Sequence, residues 1–212
     1  ELNKTMQAQI KKKDTYKMGI DTLFNLRRQL MQTLVSFKED LCREDFNAIP
    51  FINADGYHSK TIAYSIWHIF RIEDIVAHTV ITEDEQVFFT GNYQVRINSP
   101  IITTGNELVK QQIADFSKQL NLEELYSYIF EVRESTEKIL ERFSYDELKW
   151  KIPDERKGYL KSLNVVNCDE KAIWLIDYWC SKDIRGLIQM PFSRHWIMHT
   201  EACLRIKNKM HS

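Results

Sequence analysis

The chain is poor in the residues that interrupt helices and in those that build disulfide frameworks. Its 212 residues include 6 glycines and 4 prolines, which argues against a loop-rich or all-β fold. The four cysteines lie far apart and form no C-x-x-C pair, so they predict unpaired thiols and a reducing, cytoplasmic location. No apolar run approaches the ~18 residues of a membrane span, and membrane is not an expected partner.

The chain also lacks an excess of either charge. It has 29 basic and 30 acidic residues and a net charge of -1, so nucleic acid is not an expected partner. The length suits a single domain, and the first residues lack the apolar core of a signal peptide. We expect an N-terminal tail over residues 1–14, which includes the basic run Lys11 to Lys13, one domain over 15–208 and a C-terminal tail over 209–212.

Apolar residues spaced alternately three and four positions apart recur along most of the chain, and this period is typical of helices that bury one face. The pattern predicts four long helices, over residues 16–41, 61–82, 121–143 and 191–207. It predicts shorter helices over residues 106–120 and 169–182.

Polar and small residues indicate where some of these helices begin and end. Asn106 and Asn121 are predicted N-caps, and Pro191 suits the first turn of the last long helix. Gly186 is expected to end the helix that precedes it. Residues 83–104 lose the helical period and predict a crossover with extended pieces, for which a small hairpin is one arrangement. Together these features predict an all-α four-helix bundle with a long crossover between helices two and three.

Three histidines are the candidate metal ligands. His195 and His199 lie four residues apart, so on a helix they project from one face and can bind one ion at about 2.0–2.1 Å. His68, in the middle of the second long helix, would add a third nitrogen and leave a coordination position for water or substrate. The spacing alone is a weak signal, and hydrogen-bonded core or surface histidines are the alternative.

These histidines also carry a resemblance to a known family. The segment I-W-H-I-F around His68 and the segment P-F-S-R-H-W-I-M-H ending at His199 resemble the DinB/YfiT-like metalloenzymes, which are unrelated to the DNA polymerase of the same name. The resemblance covers roughly residues 16–208. It implies an up-down-down-up bundle in which His68, His195 and His199 bind a divalent ion, often zinc or nickel.

The resemblance further implies thiol-dependent chemistry. Characterised relatives include S-transferases and an isomerase that use a low-molecular-weight thiol, whose thiolate the metal is thought to stabilise. A metal-bound thiol does lose its proton near neutral pH. The expected partner is therefore a small-molecule substrate, and an exposed apolar face would also suit a homodimer.

Several other polar residues near this pattern have two interpretations. Cys203, one turn after His199, is a fourth ligand or reactive thiol, or simply a small buried residue. Glu73 and Asp74 are acceptors for an imidazole N–H, or ion-pair partners of Arg71 or Arg194.

For Glu201 and the remaining histidines we favour the less specific interpretation. Glu201 is interpreted as surface charge and His58 as a solvated loop residue, although His58 can also approach the site. His78 lies nearly three turns from His68 and cannot share its ion. Arg194 is a further candidate, for holding an anionic group of the substrate. Aromatic residues form either packed core or an apolar pocket around the metal, namely Trp67, Trp174, Tyr178, Trp179 and Trp196.

Three functions remain open from the sequence. The first is a divalent-metal enzyme of thiol-transferase or hydrolase type, in which no catalytic residue beyond the ligands stands out. The second is a non-catalytic protein that binds a metal or a small molecule. The third is a structural or interaction protein in which the histidines are incidental.

Overall fold

The computed structural model describes residues 1–211, and within them it contains helices and no β-strand. The all-α class expected from the sequence is therefore confirmed. In chain order the helices are α1 Leu2–Gln9, α2 Tyr16–Asp40, α3 Arg43–Asn47, α4 Ile62–Asp74, α5 Val87–Thr90, α6 Tyr93–Arg96, α7 Gln111–Gln119, α8 Leu122–Glu141, α9 Arg156–Ser162, α10 Glu170–Cys180, α11 Ile184–Gln189 and α12 His195–Met210. Two π-helical segments adjoin them, Ile75–Thr82 after α4 and Met190–Arg194 before α12.

The long helices α2, α4, α8 and α12 pack around a shared core. Helix α4 contacts both α8 and α12, and α2 contacts the same two helices, which is the arrangement of a four-helix bundle. Each corresponds to one of the four long helices predicted from the apolar period. The up-down-down-up order of the helices stays a prediction.

Helix α4 is the most deeply buried element of the bundle. Every residue from Ile62 to Asp74 is buried, and the Thr61 side chain caps the helix by accepting the N–H of Tyr64 at 3.0 Å. Polar side chains on such a helix cannot reach solvent, so they need partners inside the protein. His68, in the middle of α4, is one of them.

The prediction of extended pieces or a hairpin over residues 83–104 is wrong. This segment forms α5 and α6 instead. The buried Asp74 carboxylate accepts the first two N–H groups of α5, from Val87 and Phe88, at 2.9 Å each. This cap comes from a residue 13 positions upstream, so the local β-branched and aromatic composition does not reveal it.

Three predicted helix boundaries can be compared with the structure. Asn121 does cap α8, because its side chain accepts the N–H of Glu124. Asn106 caps no helix, since α7 begins only at Gln111 and the intervening Lys110 has a positive φ of 49°. Gly186 does not end the preceding helix; it lies inside α11 and donates its N–H to the N-cap Asp183.

An N-terminal tail is predicted over residues 1–14, and the structure places a packed helix within these residues. They include α1, which packs along α2 and buries Met6 and Ile10 completely. Gly19 of α2 allows this close approach, because a Cβ there would lie 2.5 Å from Ile10 Cγ2. The basic run from Lys11 to Lys13 is exposed, as expected.

At the other end, α12 runs to Met210, three residues beyond the predicted end of the last helix. Residue 212, in the predicted C-terminal tail, lies outside the described residues. The single domain over 15–208 stays a prediction. In the described part of the chain, no helix combines the length and the apolar character required to cross a membrane.

Candidate metal centre

The fold brings the three predicted ligands together. His68 projects from the middle of α4, and His195 and His199 project from the first two turns of α12, which packs against α4. One ligand nitrogen from each ring lies within 4.8 Å of the others. The ring centroids are 5.0 Å apart for His68 and His195, 4.9 Å for His68 and His199, and 4.6 Å for the α12 pair. All three side chains are buried, so this cluster can hold a metal ion.

A backbone carbonyl fixes the tautomer of His68. The Nδ1 atom of His68 lies 2.6 Å from the carbonyl oxygen of Thr104. A carbonyl only accepts, so Nδ1 carries the hydrogen and the neutral ring keeps its lone pair on Nε2. Tyr64, one turn earlier on α4, stacks on the same ring with centroids 5.3 Å apart and planes 14° apart. These two contacts hold the orientation of the first ligand.

The two α12 histidines each keep an unpaired buried nitrogen. The Nδ1 atoms of His195 and His199 have no hydrogen-bond partner among the residues described. Buried polar atoms are normally satisfied, and an exception calls for a ligand, an ion or a water. Two such atoms in the same cluster as His68 Nε2 indicate a site where a ligand, an ion or a water can bind.

The electrostatics keep these rings neutral. Burial, the largest cause, and the charge of Lys60 lower the pKa of His68 to about 4, although the hydrogen bond with the Thr104 carbonyl opposes this shift. Burial also places the pKa of His195 and of His199 well below the usual histidine range, with added repulsion from the neighbouring histidines. At neutral pH the rings are therefore unprotonated, which is the state in which imidazole binds a metal.

The start of α12 is held in place by a buried ionic network. Arg27 of α2 forms a two-point contact with Glu73 of α4, at 2.7 and 3.0 Å, and also donates to the carbonyl of Phe192. Glu73 in turn accepts the indole N–H of Trp196 at 2.7 Å. Burial disfavours the charge on Arg27, but Glu73 and Glu137 outweigh it and raise the arginine pKa. This network joins α2, α4 and α12 immediately beside His195.

The π-helical segment before α12 contributes to the same positioning. Pro191 occupies its first turn, where the missing N–H leaves no helical bond unmade. The carbonyl of Phe192 is then available to Arg27, and the Ser193 hydroxyl donates to Ile188 at 2.8 Å. Single π-helical turns are common beside functional sites because they shift the register of the following side chains.

An apolar cavity of about 320 Å³ opens from one side of the cluster. Trp174, Tyr178 and Trp179 of α10 line it, together with Met190, the first residue of the π-helical segment, and Met198 of α12. A concave, mostly apolar space with a few polar groups at one wall is typical of sites for small organic molecules.

A second, more polar cavity of about 340 Å³ opens from the other side. Lys60 and Lys171 line it, together with Tyr64 and Asn106. His68 and His199 belong to the walls of both cavities, so the histidine cluster lies between them.

The aromatic residues expected near the metal divide into two groups. Trp174, Tyr178 and Trp179 line the apolar cavity, as the pocket interpretation requires. Trp67 instead packs against Phe116 in the core, with ring centroids 4.8 Å apart, and Trp196 belongs to the ionic network. The core interpretation therefore holds for these last two.

The acidic candidates do not contact the histidine cluster. Glu73 pairs with Arg27, and Asp74 contacts Arg71 at 3.7 Å and accepts the Tyr128 hydroxyl at 2.9 Å. Of the two interpretations of these carboxylates, the role as acceptors for a ligand imidazole is therefore wrong, and ion pairing with Arg71 is confirmed for Asp74.

Three further candidates lie outside the cluster. Cys203 is buried, and burial raises the pKa of its thiol to about 12, which fits the interpretation of a small buried residue. His78 contacts Asp84 and Ser135 and is separate from the cluster, as expected. Glu201 is exposed.

Two candidates lie nearer to the cavities without joining the ligand group. The ring of His58 packs against Tyr57, whose own ring lies 5.9 Å from that of His199, so His58 is a neighbour of the site. Arg194 is exposed and does not line either cavity.

The sequence analysis missed the residues that support the ligands from outside α12. Thr104 comes from an irregular segment 36 positions away from His68, and no sequence pattern indicates that its carbonyl faces the ring. Tyr64 lies four residues before His68, and this helical spacing is the one signal that predicts its contact. Lys60 and Asn106 have no comparable signal.

Comparison with known proteins identifies no relative of the chain. No protein-family model matches the chain, and a search of curated proteins finds no similar sequence.

Proposed function

We propose that the chain is a divalent-metal enzyme of the DinB/YfiT-like type, in which His68, His195 and His199 bind zinc or nickel. The observation that carries the proposal is the buried group of three neutral imidazoles with ligand nitrogens within 4.8 Å of one another. Three histidine ligands with an open position are typical of catalytic rather than structural zinc. The all-α bundle and the positions of the three histidines on α4 and α12 support the family assignment.

The donor set fits such an ion. Imidazole nitrogen suits zinc, nickel and copper better than calcium or magnesium, which prefer oxygen. The Thr104 carbonyl that accepts the His68 N–H is the kind of outer partner that metal-bound histidines have. The unpaired Nδ1 atoms of His195 and His199 show that the protein alone does not satisfy the cluster.

A divalent ion held by this cluster would lower the pKa of a coordinated water or thiol to near neutrality. The apolar cavity beside it would bind the organic part of a small-molecule substrate and exclude water from it. Thiol transfer and hydrolysis are both compatible with this arrangement. The thiol cofactor and a homodimer are predictions of the same family assignment.

A specific observation also favours a second function, that of a protein which binds a metal or small molecule without turnover. Among the lining residues described, neither cavity contains a carboxylate. A catalytic site usually has a group that can take up or deliver a proton, and without a carboxylate this task would fall to the coordinated ligand or to the lysine and tyrosine side chains of the cavity walls.

Metal analysis tests the first part of the proposal. We expect the purified, untagged wild type to contain about one equivalent of divalent metal per chain after incubation with Zn²⁺ or Ni²⁺. A His195→Ala/His199→Ala variant should contain none, while a His78→Ala control should match the wild type because His78 lies outside the cluster. Circular dichroism checks that each variant is folded. A folded wild type that binds neither metal would refute the proposal.

Turnover separates the two candidate functions. The metal-loaded wild type is mixed with a low-molecular-weight thiol and a panel of electrophiles, and loss of free thiol is followed against the metal-free protein. Metal-dependent consumption of thiol, absent in the double variant, supports an enzyme. Stoichiometric metal without any consumption favours the binding function.

A further inference from the structure

Lys60 is an unpaired cation in the wall of the polar cavity. It lies two residues before α4, is half-buried, and has no carboxylate within ion-pair distance in the part of the chain that the structure describes. Its ammonium lies 5.2 Å from the centre of the Tyr64 ring. Burial lowers the pKa of Lys60. The other lysine of this cavity, Lys171, differs because it has Asp169 as a partner at 3.6 Å.

The position of Lys60 connects it to the histidine cluster. The Tyr64 ring beneath the ammonium stacks on the ring of His68, so a single aromatic ring separates the cation from the first ligand. Asn106 lines both cavities, and its side-chain oxygen is buried without a partner. The same wall therefore holds an uncompensated cation, which needs an anionic acceptor, and an amide oxygen, which needs a donor such as an N–H or O–H group of the ligand.

A partly desolvated cation is costly unless an anion accompanies it. The described walls of both cavities contain no acidic side chain that could serve. An anionic oxygen group on a ligand would provide the missing charge and would form a charge-assisted hydrogen bond with the ammonium.

We propose that the polar cavity binds an anionic oxygen group, a carboxylate or a phosphate, of the ligand, and that Lys60 is its principal contact. The same ligand would place its metal-binding atom at the histidine cluster and its apolar part in the aromatic cavity. This inference rests on the proposed metal site and specifies the substrate class for it: a small organic anion. It differs from the sequence expectation, which gave the anion to Arg194.

The test compares two thiols that differ only in charge. Protein loaded with Co²⁺ is titrated with 3-mercaptopropionate and with 3-mercaptopropionamide, and the thiolate-to-cobalt absorption gives both dissociation constants. Because the two thiols differ in acidity, the quantity compared between proteins is the ratio of the two constants. Variants are Lys60→Met, which keeps most of the stem, and Lys38→Met as a matched control, since Lys38 also lies over a tyrosine, at 5.0 Å from the Tyr126 ring, but outside both cavities.

We expect Lys60→Met to reduce the preference for the carboxylate about tenfold, the effect of one charge-assisted hydrogen bond in a partly exposed site, and Lys38→Met to leave it unchanged. Acetate and inorganic phosphate, added as competitors, show which anion the cavity prefers; displacement by either that is lost in Lys60→Met supports the inference. A ratio in Lys60→Met within twofold of the wild type would overturn it and leave the metal site standing. Failure of the wild type to bind Co²⁺ would overturn the proposed function, and this inference with it.

Discussion

Replacing Arg27 by methionine is expected to destabilise the bundle strongly. The side chains of Arg27 and Glu73 are completely buried, and Arg27 donates two hydrogen bonds to Glu73, one to Glu137 and one to the carbonyl of Phe192. Methionine keeps most of the apolar stem but leaves the Glu73 carboxylate with only the Trp196 indole as a partner. Removing one member of a buried pair typically costs about 3–5 kcal/mol, because the remaining charge stays desolvated.

Urea unfolding followed by circular dichroism measures this loss. The double variant Arg27→Met/Glu73→Gln removes the stranded charge while the glutamine oxygen can still accept from Trp196. We expect it to recover about 2 kcal/mol relative to Arg27→Met alone, since the two residues are in direct contact. Arg133→Met is the matched control: Arg133 pairs with the same Glu137 at 3.0 Å but is partly exposed, so its loss should cost about 0.5 kcal/mol or less.

Two results would refute this reasoning. A loss below about 1 kcal/mol in Arg27→Met would mean that water or another residue satisfies Glu73 in its absence. A double variant whose loss equals the sum of the two single losses would mean that the pair does not act as a unit.

Three further predictions concern the metal, a thiol and two glycines. Zn²⁺ at a hundredfold excess over its dissociation constant should stabilise the fold by about 2.7 kcal/mol. In differential scanning fluorimetry this should raise the melting temperature by about 5–10 °C. An equal rise in the variant that lacks both α12 histidines would contradict this prediction. Burial raises the pKa of Cys203 to about 12, so iodoacetamide at pH 8 should alkylate the exposed Cys168 and leave Cys203 unmodified. Peptide mass spectrometry measures both reactions, and similar rates at the two cysteines would disprove this prediction. Gly19→Ala should lower the free energy of unfolding in urea by about 1–3 kcal/mol, because its Cβ would overlap Ile10. Gly158→Ala should instead stabilise α9 by about 0.4–1 kcal/mol, because nothing lies within 4 Å of the added Cβ. The opposite order of stabilities would show that α1 does not pack on α2 as described.

The long helices could be predicted because their apolar period coincides with the buried face. In α8 the predicted seam residues Leu125, Ile129 and Val132 are all completely buried. A pattern repeated over five turns contains enough positions to outweigh individual exceptions. The start of α8 could also be predicted, because the cap Asn121 lies directly before the first turn.

The short elements could not be predicted, because distant residues stabilise them. Helix α5 depends on the Asp74 carboxylate, which lies on a different helix. Helix α1 has only eight residues and would be marginal by itself. It is held by its packing on α2, where Gly19 permits contact with Ile10. Local composition contains neither kind of information.

The candidate site shows the same division between local and distant information. The pair His195 and His199 follows from helical spacing, and His68 joins them because α4 and α12 are neighbours in the bundle. The Thr104 carbonyl and the Lys60 ammonium reach the site from segments that carry no periodic pattern. Candidate ligands on long helices are thus identifiable from sequence, while the groups that orient them and set the local charge depend on the tertiary structure.

The histidine cluster is less favourable for the stability of the core than apolar residues would be. An unsatisfied buried polar group costs about 1–3 kcal/mol, and the cluster contains two such atoms, in His195 and His199, that leucine would not have. A bundle selected only for stability would place apolar residues at these positions, as it does at the nearby Ile66 and Ile69 of α4. Local conflicts with packing rules concentrate at functional sites, where a ligand restores the missing interactions. Here the conflict has two parts: uncharged, unpaired nitrogens in the histidine cluster and an unpaired Lys60 in the polar cavity. A metal cation bound to the histidines would resolve the first part, and an anionic group bound to Lys60 would resolve the second.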